Sequence, residues 1–587
     1  MMIPDLLEIP TLRAAFAAGL GPVTLIETLY ARIATWPDPA VFISLVPRET
    51  ALAQARAVDP ALPLAGIPYV VKDNIDVAGM QTTAACPDFA YTAQADATCV
   101  VRLRAAGAIL LGKTNLDQFA TGLNGTRSPF GAPRCVFHAD YISGGSSSGS
   151  AVAVAAGLAA FALGTDTAGS GRVPAACNNI IGLKPSIGLI PTTGVVPACK
   201  SLDCVALFAN YAADALAVLE VAQGFDAADA YSRRPHAQAL SSVPKLGVLA
   251  AHDQDFAGDG EAAALYAAAV QQAASLGWAV QTIDYAPFRD IAALLYDGAF
   301  VAERLAALET FHDSHAASIE PTVRGIIGGA KRFSAADAFR DIYRVQGLRH
   351  AAKAELGRVD ALLLPTTPTI FTVAQMREQP VAHNSTLGRY TNFVNLLDLA
   401  AIALPAGFRT NGLPFGVSLI GQAFSEASLA AHAGTLHLAL GAGAGVHGAQ
   451  PQALCPPVSD EATLVVAGAH MSGMALNYEL LALGARLVRA STTAADYRLH
   501  ALATTPKKPG LARSPGFAGA GIAVEVWGLS AQSLGRFLAD LPAPMGIGRV
   551  QLADGTVHSG FLCEAHALNG AEDITAHGGW RAYLARS

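Results

Sequence analysis

Charge is scarce in this 587-residue chain: Asp, Glu, Lys and Arg make up 14% of it, where about a quarter is usual. Aromatic residues are few, at 7%, while hydrophobic residues reach 52%. That balance excludes a disordered chain and leaves ample apolar material for a large core. There is no basic run, and the formal net charge is −7, so nucleic acid and anionic membrane surfaces are excluded as expected partners. A mean hydropathy of +0.36 invites a membrane reading. However, the best apolar run, Ala151 to Gly164, has 14 residues, and a spanning helix takes about 20. A second run, Leu396 to Phe408, is interrupted by Asp398 and Pro405. The opening Met1-Met2-Ile3-Pro4-Asp5 carries no positive segment, which predicts no signal peptide. The eight cysteines, Cys86, Cys99, Cys135, Cys177, Cys199, Cys204, Cys455 and Cys563, form no CxxC pair, and no His/Cys cluster has zinc spacing. Free thiols, no metal and a reducing, cytoplasmic setting are expected.

Composition separates two regions. Leu440 to Ser459 crowds glycine, alanine and proline without apolar periodicity and reads as a linker. The expected domains are therefore 1–440 and 461–587, joined by 441–460, with no internal repeat. In the first region, Leu25, Ile26, Leu29 and Ile33 share one face of a helix opening at Pro22. Short apolar runs at Pro68–Val71, Ile109–Leu111, Leu362–Leu364 and Val417–Ile420 read as buried strands. Such runs alternating with helices predict an α/β fold, a sheet covered on both faces. The second region alternates in strand fashion over Gly521–Leu529. It also brackets Asp554-Gly555, a two-residue hairpin signal, between Val550 and Leu562, so a small α+β domain is expected.

The most unusual stretch is Tyr141-Ile142-Ser143-Gly144-Gly145-Ser146-Ser147-Ser148-Gly149-Ser150. Glycine and serine usually mean a flexible linker. Here the apolar, helix-like run follows at once from Ala151, which places the loop against a core where its hydroxyls and amides need partners. A second small-residue loop, Gly164 to Pro174, surrounds Ser170, and its successive amides suit an oxyanion hole. Lys72 directly follows the strand Tyr69–Val71, as either a snorkelling surface residue or a desolvated amine. Two other patterns mislead. Gly107 to Thr114 matches a Walker A motif letter for letter, but its intervening positions are apolar and read as the strand itself. Gly145 to Gly149 matches a G-x-S-x-G elbow, yet 138–143 is mixed and polar where a buried strand is required.

Val71-Lys72-Asp73-Asn74, the loop Gly144 to Ser150 and the loop Asp166-Thr167-Ala168-Gly169-Ser170 together resemble the amidase signature family. The spacings agree: 74 residues from Lys72 to Ser146 and 24 from Ser146 to Ser170. Gly182-Leu183-Lys184-Pro185 and Leu364-Pro365-Thr366-Thr367-Pro368 extend the likeness over roughly 1–440. The resemblance implies a mixed central sheet covered by helices and a Ser-cisSer-Lys triad without cofactor or metal. Ser170 would be the nucleophile, Ser146 the bridging serine with its bond to Ser147 cis, and Lys72 the base. The amides of Thr167, Ala168, Gly169 and Ser170 would line the oxyanion hole. The chemistry is coherent: a serine hydroxyl needs a base, and lysine serves when burial keeps it neutral.

Tyr296 and Arg304 lie eight residues apart, just over two turns, so one helix face would carry both. They resemble the carboxylate-binding pair of the allophanate hydrolase family, and Gly122 resembles another substrate-pocket position of that family. Val465 to Met474 and His577 to Leu584 are similar to the C-terminal domain of the same family, whose fold resembles the gamma-glutamyl cyclotransferase type. The resemblance implies hydrolysis of allophanate (urea-1-carboxylate) in ATP-dependent urea breakdown, with association with a urea carboxylase as the pathway's expectation. Another amidase acting on a small carboxylated amide is the alternative. The second domain is expected to serve assembly or structure rather than decarboxylation of the product, with His470 as its candidate proton donor. A homodimer is expected, symmetric dimers being the commonest assembly.

Overall fold

The computed structural model describes residues 3–4, 6–236, 238–448, 450 and 461–586. Two compact units divide the chain, Met1–Pro456 and Pro457–Ser587. Residues 451–460 of the expected linker, with Cys455, lie outside the described residues.

The first unit is built on an eleven-stranded mixed sheet. In chain order its strands are β1 (Phe42–Leu45), β2 (Pro68–Lys72), β3 (Ile109–Thr114), β4 (Phe161–Asp166), β5 (Ile181–Lys184) and β6 (Cys204–Ala209), then β7 (Lys245–Leu249), β8 (Ala279–Ile283), β9 (Ala361–Pro365), β10 (Leu399–Phe408) and β11 (Pro414–Gln422). Their spatial order is β1-β3-β2-β4-β6-β5-β10-β11-β9-β7-β8. Every residue of β2, β3, β4, β5, β6 and β9 is buried, as in strands covered on both faces. The four apolar runs noted in the sequence lie within β2, β3, β9 and β11, and the helix opening at Pro22 runs to Thr35. Lys113 of the Walker-like stretch is a strand residue of β3, paired with the buried Asp73 at 3.2 Å.

The apolar run Ala151–Gly164 is not one helix. It divides into a helix, Ser148–Ala155, and strand β4. Gly157 separates them at φ +66°, a left-handed conformation in which a helix cannot continue. β2 runs parallel to both β3 and β4. This register brings Lys72, at the end of β2, next to the loop that follows β4.

The second unit holds a five-stranded sheet of β12 (Glu461–Val466), β13 (Arg486–Thr492), β14 (Ala523–Ser530), β15 (Met545–Gln551) and β16 (Val557–Cys563), ordered β13-β14-β12-β16-β15. A hairpin joins β15 and β16 across Asp554-Gly555. Its turn is longer than two residues: Leu552 donates to the Thr556 carbonyl, and Gly555 at φ +85° closes the loop between them. Among the described residues no helix is long and apolar enough to cross a membrane, and no His/Cys/Asp/Glu cluster could hold a metal.

Candidate active site

The glycine-serine loop is buried throughout, and its hydroxyls find partners inside the protein. Ser147 donates to the Thr165 carbonyl (3.1 Å), Ser148 to the Asn115 carbonyl (3.2 Å) and Ser150 to the Leu163 carbonyl (3.0 Å). The loop is thereby stitched to β4 and to the chain after β3. The cis peptide bond lies between Gly145 and Ser146, one bond earlier than expected. Glycine suits that side, because a Cβ at Gly145 would come within 2.3 Å of Asp117 Oδ2.

Lys72 is fully buried, and its Nζ lies 2.8 Å from Ser146 Oγ and 2.7 Å from Thr165 Oγ1. No carboxylate pairs with it within 4 Å among the described residues. Burial pushes its pKa down from the usual 10.5 to about 7, against the more distant pull of Asp117, Asp203 and Asp166. An ordinary lysine is neutral in only about one molecule in three thousand at pH 7; burial makes the neutral amine far more accessible here. Lys113 is also buried, and burial lowers its pKa too, but there Asp73 lies beside it at 3.2 Å and pulls the other way. Lys113 donates to the Gln81 carbonyl (2.9 Å) and to Thr82 Oγ1 (2.7 Å).

Ser170 follows β4 and is 2% exposed. Its hydroxyl donates to the Gly122 carbonyl at 3.3 Å rather than to Ser146. Gly122 is fixed by packing, since a Cβ there would meet Asp117 Oδ2 at 2.5 Å. Of the expected oxyanion amides, Gly169 N–H is already committed to Asp166 Oδ1 (3.0 Å). Those of Thr167, Ala168 and Ser170 have no protein partner among the described residues. The donors open to a ligand are therefore these three.

Sequence reasoning missed three residues that shape the loop. Asp166 accepts from Gly169 and Gly171 amides and from Arg172 Nε (2.9 Å) and Nη2 (3.0 Å), which wraps the chain around Ser170. Burial works against its charge, but the Arg172 guanidinium holds its carboxyl below the usual range. Asp203 accepts from the Thr167 hydroxyl and from the Ala198 and Cys199 amides, and burial raises its pKa to about 6. Asp117 caps the amides of Asn124, Gly125 and Arg127 and so sets the loop that contains Gly122. The one signal available was an Asp and an Arg flanking the serine loop six residues apart.

Tyr296 and Arg304 do not share a helix. Tyr296 ends Ala286–Asp297 and Arg304 opens Val301–His315. The break falls at Gly298, in extended backbone, where a Cβ would strike Asp341 Oδ2 and the Leu294 carbonyl at 2.7 Å. The two side chains meet nonetheless: Arg304 Nη2 donates to Tyr296 Oη at 3.2 Å, and Nη1 to Thr121 Oγ1 at 3.0 Å. Arg304 is 1% exposed, its Nε has no partner, and no carboxylate pairs with it among the described residues. Thr121 and Gly122 are consecutive, so the guanidinium and the Ser170 hydroxyl are held by neighbouring residues.

In the second unit His470 lines a cavity of about 590 Å³. Its Nε2 is 2.9 Å from Glu479 Oε2, and its ring stacks on Phe561 and meets Phe537 edge-on.

A buried lysine between two hydroxyls, a serine in an amide-rich turn and a large mixed sheet define an amidohydrolase fold and site. The amidase family profile matches residues 24–430, and the chain belongs to that family. The profile of the allophanate hydrolase C-terminal domain matches residues 462–585. A solved allophanate hydrolase from Kluyveromyces lactis is 39% identical, with a TM-score of 0.75 over 98% of each chain. Urea amidolyase of Lachancea kluyveri is 43% identical over 96% of this chain, which spans about a third (32%) of that relative's length. A glutamyl-tRNA(Gln) amidotransferase component of Symbiobacterium thermophilum is 36% identical, over 72% of this chain and 95% of its own.

Proposed function

We propose that the chain hydrolyses allophanate, with Lys72, Ser146 and Ser170 as a proton-relaying triad. One observation carries the choice of substrate: Arg304 is a buried guanidinium whose partners are neutral hydroxyls. A buried charge is ordinarily paired, so an anionic group of the substrate completes this one. The carboxylate must also lie close to the scissile carbonyl, because Arg304 and Ser170 contact adjacent residues, Thr121 and Gly122. Allophanate has one nitrogen between the two. The allophanate hydrolase relative, alike over its full length, supports the same reading. The amidotransferase relative leaves the C-terminal unit unmatched, which speaks against a glutaminase.

On this reading Ser170 leaves the Gly122 carbonyl, turns to Ser146 and gives up its proton, while Ser146 passes its own to neutral Lys72. The Ser170 oxygen bonds to the carbonyl carbon, and the amides of Thr167, Ala168 and Ser170 receive the developing oxyanion. The relay runs backwards to protonate the leaving nitrogen, and ammonia departs. Water then releases Ser170 by the same route. The product, N-carboxycarbamate, loses carbon dioxide to give carbamate, which breaks down to ammonia and a second carbon dioxide. We further propose that the chain acts as a cytoplasmic homodimer downstream of an ATP-dependent urea carboxylase; the likeness to urea amidolyase supports the pathway.

The test is ammonia release from allophanate, malonamate and glutamine, with and without Ser170→Ala. Allophanate should be preferred by at least about 100-fold, and the variant should be inactive. Turnover that favours glutamine, or survives Ser170→Ala, overturns the reading.

A second reading concerns the C-terminal unit. The His470–Glu479 pair in a largely apolar cavity favours decarboxylation of N-carboxycarbamate over a purely assembly role. His470→Ala should then spare the first ammonia and slow the second; equal rates for both would return the unit to assembly.

A further inference from the structure

We propose that Thr165 is a positioning residue that aims the lone pair of Lys72 at Ser146. The proposal rests on Lys72 acting as the base. The amine has two hydrogen-bond partners among the described residues, Ser146 Oγ at 2.8 Å and Thr165 Oγ1 at 2.7 Å. A neutral amine offers two N–H groups and one lone pair. To take a proton from Ser146, the lone pair must face Ser146 Oγ. Rotation about the Cε–Nζ bond would otherwise turn an N–H there and block the transfer. Giving one N–H to Thr165 fixes that rotation.

Thr165 is suited to the task because its backbone is tied on both sides. It lies on β4, opposite Val205, and is 3% exposed. Its amide and carbonyl are both bound to Ser147 Oγ, at 3.3 and 3.1 Å. Ser147 adjoins Ser146, so one hydroxyl ties the strand that orients the base to the loop that feeds it a proton. When the proton moves from Ser146 Oγ to Nζ, the ammonium keeps its bond to Thr165 and gives a new N–H to the Ser146 oxygen, so the geometry persists through the cycle.

The experiment is the pH profile of ammonia release from allophanate, corrected for uncatalysed breakdown, for wild type, Thr165→Val, Thr165→Ser and Lys72→Met. Thr165→Val should lower the plateau kcat about 10- to 100-fold and leave KM within about twofold. Its acid limb should move to lower pH, because a hydrogen bond favouring the ammonium is lost. Thr165→Ser should stay close to wild type. A merely structural threonine would move neither the limb nor the split between Val and Ser. A full plateau with an unmoved limb in Thr165→Val overturns the proposal, as does Thr165→Ser losing as much as Val. If Thr165→Val fails to fold, Thr165→Ala against Thr165→Ser reads the same outcomes. An active Lys72→Met would sink the triad itself, whereas an inactive Lys72→Met beside a fully active Thr165→Val sinks this proposal alone.

Discussion

Arg172 grips both carboxylate oxygens of Asp166, Nε at 2.9 Å and Nη2 at 3.0 Å, and neither side chain is exposed. The same carboxylate takes the amides on either side of Ser170. Asp166→Asn removes the charge that balances a buried guanidinium. A loss on the order of 3–5 kcal/mol is expected, with ammonia release down by about 100-fold or more because the serine turn loses its template. Urea unfolding and steady-state assays check both. A variant as stable and active as wild type would mean that this pair does not build the turn.

Activity should switch on with pH as Lys72 loses its proton. Its pKa of about 7 sets an acid limb in kcat/KM, which falls about tenfold per unit below that value. The sign follows from chemistry: the ammonium cannot accept the proton of Ser146. A limb below about pH 5.5 would instead assign the essential base to another group.

Arg304→Gln keeps a polar, hydrogen-bonding side chain but removes the charge. Hydrogen bonds to charged groups are worth about 1.5–3 kcal/mol, so KM for allophanate should rise about 10- to 100-fold. An uncharged amide of similar size should lose less than about threefold. Equal losses on both substrates would count against carboxylate recognition at this arginine.

The candidate site was legible as far as Lys72, Ser146 and Ser170 lie in short segments with distinctive spacing, and as far as Gly145 and Gly149 stand where an added Cβ would clash. The buried runs of β2, β3, β9 and β11 were legible for a similar reason: strands covered on both faces read as unbroken apolar stretches. What escaped depended on partners far along the chain. Thr165 looks like any strand threonine until β2 is placed beside β4. Asp203 reaches Thr167 across 36 residues. Helical periodicity carried Tyr296 and Arg304 onto one helix because it is blind to Asp341, which closes the space around Gly298. The amide of Gly169 looked free because nothing in its immediate sequence marks Asp166 as its acceptor.

Lys72→Met should be inactive yet more stable than wild type at neutral pH. The folded protein holds this proton only below about pH 7, whereas the unfolded chain holds it up to about 10.5. Between these values the unfolded state binds more protons, so the native lysine gains stability as pH rises through the window and is at its greatest disadvantage at and below pH 7. Methionine fills a similar volume with no proton to lose, at the cost of two hydrogen bonds worth about 1 kcal/mol each. The net advantage should be on the order of 3 kcal/mol at pH 6.5 and should shrink steadily toward pH 10. Urea midpoints at pH 6.5 and 9.5 measure it. A pH-independent difference, or a methionine variant less stable at pH 6.5, would mean that folding does not strip this amine of water, and the basis for a neutral lysine would be lost.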